Sequence, residues 1–72
     1  MEVEYLGTHI IGGNECKVYK YKGEYIKVKY TENKLTADIP VSVTDQILEK
    51  IGFDVNQPYS VSDGIYEQVR KF

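Results

Sequence analysis

The sequence predicts an α+β domain: a small antiparallel β-meander of three to four strands, with two short C-terminal helices packed on one face. Three observations lead there. Residues 17–30 alternate tyrosine, lysine and β-branched residues about Lys22-Gly23. Residues 35–43 alternate just as cleanly. From Ser42 onward the apolar spacing changes from every second residue to every third or fourth.

The first element, Glu2 to Ile11, reads as a strand broken or bulged at Gly7. Gly12-Gly13-Asn14-Glu15 is a turn, because glycine and asparagine tolerate positive φ. A hairpin follows, with Lys22-Gly23 as its two-residue loop. That register sets Tyr21 opposite Glu24, Lys20 opposite Tyr25, Tyr19 opposite Ile26, Val18 opposite Lys27 and Lys17 opposite Val28. A side-chain period of two then puts Tyr19, Tyr21, Ile26, Val28 and Tyr30 on one face. Lys20, Tyr25, Lys27 and Lys29 fall on the other, with Val18 among them.

Thr31-Glu32-Asn33-Lys34 turns the chain into a strand from Leu35 to Val43. Leu35, Ala37 and Ile39 then face Tyr30, Val28 and Ile26 across the ladder. Pro40 has no N–H to donate, so this strand is expected at a sheet edge, with Asp38 and Pro40 as contacts for another chain. Ser42-x-x-Asp45 resembles a capping box, and Thr44 is the competing N-cap. Ile47, Leu48 and Ile51 share a helix face, and Gly52 stands where a C′ glycine belongs. The last stretch, 60–72, fits two patterns. Ile65, Val69 and Phe72 have helical spacing, with Arg70-Lys71 suiting the C-terminal dipole. Asp63-Gly64 between short runs suits a hairpin, but one that leaves Ile65 and Val69 on a serine-lined face. The helix is the preferred reading.

Seventy-two residues make a single small domain with a thin core. Self-association into a homodimer could complete that core. Cys16 is the only cysteine, so no internal disulfide forms, which suits a reducing compartment. The start lacks the basic and apolar regions of a leader, and no apolar run approaches the ~18 residues of a membrane span. The expectation is a cytoplasmic protein that does not enter membranes. Net charge is −2, but it is unevenly spread. Residues 16–34 carry six lysines against Glu24 and Glu32, whereas residues 35–69 carry Lys50 against six carboxylates.

Little here carries chemistry. His9 and Cys16 are the only residues of their kinds, and adjacent strands could bring them near. A small packed cysteine and a strand histidine explain them better than a nucleophilic pair. They are too few for a zinc site, and the glycines at 7, 12 and 13 lack the Gly-Lys-Ser/Thr of a phosphate loop. The expectation is a non-enzyme without cofactor or metal.

The hairpin is the positive signal. It holds five of the nine basic residues and four of the seven tyrosines. Tyrosine-rich surfaces suit protein interfaces. The leading expectation is therefore a small binding module that meets an unidentified protein partner through the hairpin and the edge strand, as a regulator, inhibitor or adaptor. The candidate binding residues are Lys20, Tyr25, Lys27 and Lys29. The alternative is nucleic acid, with lysines on phosphates and a ring under a base.

One stretch also resembles a known family. Ile39-Pro40, then Ile47-Leu48-Glu49-Lys50-Ile51-Gly52-Phe53, then Tyr59 to Val69 resembles the AbrB-type swapped-hairpin DNA-binding proteins. The resemblance covers residues 39–69 and implies an intertwined dimer that contacts DNA through basic residues. The sequence departs from the pattern at three places. About four extra residues follow Ile39-Pro40, Asn56-Gln57 replaces Gly-Asp, and most of the basic residues near Ile-Pro are missing.

Overall fold

A computed structural model describes residues 3–31 and 33–69. Among these residues the fold is mostly antiparallel β, with one short helix: β1 (Glu4–Ile11), β2 (Asn14–Tyr21), β3 (Glu24–Tyr30), β4 (Lys34–Asp38), α1 (Asp45–Lys50), β5 (Ser60–Ser62) and β6 (Ile65–Val69). The six strands form one sheet in the order β1-β2-β3-β4-β6-β5.

The expected α+β domain, with three to four strands and two C-terminal helices, is therefore corrected to a six-stranded sheet with one short helix among the described residues. Residues 60–69 are a hairpin, and this hairpin adds to β4 rather than packing on the sheet. Asp63 and Gly64 take φ of 49° and 79°, the left-handed pair of a tight hairpin turn. The helical reading fails because the hydrophobic pattern is inverted here. Tyr66 and the buried Gln68 point at the core, while Ile65 and Val69 point out. The helical spacing of Ile65 and Val69 thus marks no buried face; Phe72, Arg70 and Lys71 lie outside the described residues.

The β2–β3 register is the expected one from Tyr21–Glu24 to Lys17–Val28. Lys22 and Gly23, at φ of 51° and 78°, close it. β3 and β4 pair with Tyr30 opposite Leu35 and Val28 opposite Ala37, also as expected. β1 carries its expected irregularity, a register shift between Tyr5 and Thr8 around Gly7.

The strand expected to reach Val43 stops at Asp38. Ile39 N–H donates to the Gly64 carbonyl at 2.8 Å, and the chain then leaves the sheet. Pro40 lies past that point, where a missing N–H breaks no ladder. β4 is also no edge: β3 pairs with it on one side and β6 on the other. The expected docking rail is therefore no sheet edge: Asp38 is paired on both sides, and Pro40 lies beyond the strand. Among the described residues, the free edges are β1 and β5.

One helix face covers the sheet. Ile47, Leu48, Ile51 and Phe53 are buried with Tyr21, Ile26, Val28, Leu35, Ala37 and Ile39. Each fully buried Ile or Leu contributes roughly 1.5–3 kcal/mol. A helix of six residues is too short to persist alone, so this packing and its caps hold it. The N-cap is Thr44, whose side chain accepts from Ile47 N–H at 3.4 Å, rather than Ser42. At the other end, Gly52 N–H donates to the Glu49 carbonyl and Phe53 N–H to the Leu48 carbonyl. This is the double bond pattern of a glycine-terminated helix, with Leu48 and Phe53 both in the core. The rings of Phe53, Tyr59 and Tyr66 close the core beside the 53–59 connection, with centroids 6.0 to 6.3 Å apart.

Candidate binding surface

The helix covers one face of the sheet and leaves the other to solvent. The ladder pairs decide which residues stand there. Lys20 is opposite Tyr25, Val18 opposite Lys27 and Cys16 opposite Lys29. All four expected binding residues therefore share the uncovered face. Tyr25 is 53% exposed, and the Lys20 ammonium lies 5.7 Å from its ring centre. That contact braces the ring from one side and leaves the rest of it open.

The lysines do not stand alone. Glu4 of β1 is opposite Lys20, and Asp38 of β4 is opposite Lys27. Lys34 Nζ lies 3.4 Å from Glu67 Oε2. Asp38, expected on an edge, instead joins the lysine face. Lys29 stands between Cys16 on β2 and Thr36 on β4. A shallow groove of about 210 Å³ runs here between Ile11, Cys16, Lys27, Lys29 and Asp38. The surface is thus a checkerboard of opposite charges around one exposed tyrosine and a patch of apolar wall. Opposite charges in cross-strand positions each stabilise a sheet by roughly 0.2–1 kcal/mol.

His9 and Cys16 are cross-strand neighbours, as adjacent strands allowed. Their hydrogen bonds run elsewhere. His9 Nε2 donates to the Leu6 carbonyl at 3.2 Å, and the buried Cys16 Sγ donates to the Asn14 carbonyl at 3.8 Å. Among the described residues, no group of three or more His, Cys, Asp or Glu is placed to hold a metal ion. No helix among them is long and apolar enough to cross a membrane.

A second feature escaped the sequence reading. On the helix-bearing face, but beyond the helix, Tyr5 and Tyr19 rings meet at 5.1 Å. The Lys17 ammonium lies 5.1 Å from the Tyr30 ring beside them. Burial pushes the Tyr19 phenol up from its ordinary value, with smaller contributions from Tyr30 and Tyr5. The Gly12-Gly13 turn alone does not reveal this patch: it fixes Thr8 opposite Lys17, and Tyr5 comes to face Tyr19 only through the register shift around Gly7. A larger groove of about 540 Å³ lies at the other end, between Pro58, Tyr59, Val69 and the Lys34–Glu67 pair. Its charged groups already face each other.

Comparisons with protein-family models, with curated proteins and with solved structures found no match to this chain.

Proposed function

We propose that the protein is a small non-catalytic binding module, and that its uncovered sheet face takes a protein partner at Tyr25, Lys20, Lys27 and Lys29. The observation that carries this reading is the pairing of charges on that face. Glu4 opposes Lys20, and Asp38 opposes Lys27. A surface built to grip a polyanion gains from uncompensated cations, since each neutralised phosphate releases counterions. Here carboxylates interleave with the lysines, which suits a partner surface carrying both signs. One braced, half-exposed tyrosine, on the same face as a shallow groove lined by Lys27, Lys29, Ile11 and Cys16, is the form of an interface anchor. A stacking platform for bases would show more rings on the same face.

The test is the double variant Tyr25→Ala with Lys27→Glu, offered to the partner. Binding falls about tenfold or more, while urea unfolding changes by less than about 1 kcal/mol because both side chains are exposed. Equal affinity would sink the reading. Nucleic acid is the competing outcome. It would appear as oligonucleotide binding whose log–log salt slope is roughly −0.7 per phosphate on single strands.

A further inference from the structure

The two free edges of the sheet are built differently. β5 has only three residues and follows closely on Pro58, both of which discourage another strand from pairing. β1 has eight residues and contains neither lysine nor proline. It also exposes large apolar side chains, with Tyr5 at 54% and Ile10 at 71%. An open edge of this length offers a row of backbone donors and acceptors to a further strand.

The side chains of β1 say which strand would fit. Glu4 and His9 lie opposite Lys20 and Cys16, so both stand on the uncovered face. Tyr5, Thr8 and Ile10 lie opposite Tyr19, Lys17 and Glu15, so all three stand on the helix-bearing face. Val3 packs against the core on that same face. The shift at Gly7 therefore inverts the alternation midway along the strand. A copy of β1 laid antiparallel against β1, with its two-fold axis between Leu6 and Gly7, keeps every face matched. Glu4 then meets His9, Tyr5 meets Thr8, and Val3 meets Ile10, each pair occurring twice by symmetry. The pairs match in kind: carboxylate with imidazole, hydroxyl with hydroxyl, apolar with apolar. Sliding the copies by two residues sets Glu4 against Ile11 and loses the carboxylate–imidazole pair. At the axis, a Cβ added to Gly7 would meet nothing within 4 Å. A bare glycine in a strand leaves room for a second backbone.

We propose that two copies of this chain join through β1 in this register, so that Glu4 of one copy lies opposite the partner subunit's His9 and the two sheets become one continuous sheet. The occupant of the edge is a second copy because the complementarity is of β1 to itself.

Sedimentation velocity of the full chain, from micromolar to near-millimolar concentration, tests this. The wild-type chain sediments as a dimer at the upper end. Ile10→Lys raises the dissociation constant about tenfold or more, because two ammonium groups then lie against Val3. His9→Glu weakens the dimer by setting two carboxylates opposite one another twice, and Glu4→Lys weakens it by taking the carboxylate away from the imidazole at both contacts. An equimolar mixture of those two variants regains wild-type affinity. In the mixed dimer the ammonium introduced at position 4 of one copy meets the carboxylate introduced at position 9 of the other. The two unsubstituted residues, Glu4 and His9, meet at the second contact. That recovery reads the register and does not follow from any loss of folding. A chain that stays monomeric throughout would overturn the proposal. So would a dimer indifferent to Ile10→Lys, or a mixture no tighter than its components.

Discussion

Gln68 holds Asp54 by both of its backbone groups. Asp54 N–H donates to Gln68 Oε1 at 2.9 Å, and Gln68 Nε2 donates to the Asp54 carbonyl at 2.7 Å. Nε2 also lies 3.3 Å from the Gln57 carbonyl. One buried amide on β6 thus stands in for a strand partner to the 53–59 connection. It ties the segment after the helix to the core face of β6, and with it the ring cluster that closes the core.

Gln68→Leu keeps the size of the side chain but leaves these backbone groups without partners. The expected loss is about 2 kcal/mol, the cost of burying unsatisfied polar groups. Urea unfolding measures it. A neutral result would mean that the connection finds water instead.

Gly52 faces the Tyr30 hydroxyl with no space for a Cβ, at φ of 113°. Gly52→Ala therefore meets a strained backbone and a collision together, at a cost of about 1–3 kcal/mol. In a Tyr30→Phe background the collision is relieved and the backbone strain remains. The alanine substitution should accordingly cost less there, as a double-mutant cycle would read. Identical costs in both backgrounds would assign the whole effect to the backbone.

Tyr19 gives the alkaline behaviour a sign. Its phenol titrates higher in the folded chain than the ordinary 10.0. As pH rises through the ordinary value the unfolded chain loses this proton first, so folding stability is intact below it and declines up to the folded value. Tyr19→Phe removes that part of the decline. Unfolding curves at neutral pH and above the tyrosine range test this, and a decline unchanged in Tyr19→Phe would contradict it.

The hairpin was legible because two constraints agreed. Lys22-Gly23 fixed a two-residue loop, and strict alternation on both sides sorted apolar from basic residues. Leu35 and Ala37 added a third strand by the same logic. The C-terminal hairpin was hidden because local pattern and burial disagree there. Gln68 sits in the core for its hydrogen bonds, and Val69 is 63% exposed, so periodicity pointed the wrong way. Pro40 misled for a related reason. A missing donor marks a sheet edge or a strand end with equal force, and only the pairing of β4 with β6 separates the two. The candidate lysines and Tyr25 were readable from strand period alone. Glu4 and Asp38 among them were not, since their placement depends on how β1 and β4 flank the hairpin.

On the reading proposed above, the uncovered face meets a protein at Tyr25. The most direct measurement replaces Tyr25 with a photo-crosslinking phenylalanine in the cells that make the protein, with the exposed helix residue Gln46 as the control position. One discrete protein adduct is expected from position 25, absent from position 46 and weakened by Lys27→Glu. A nucleic-acid adduct at position 25, or the same adducts from both positions, would contradict it.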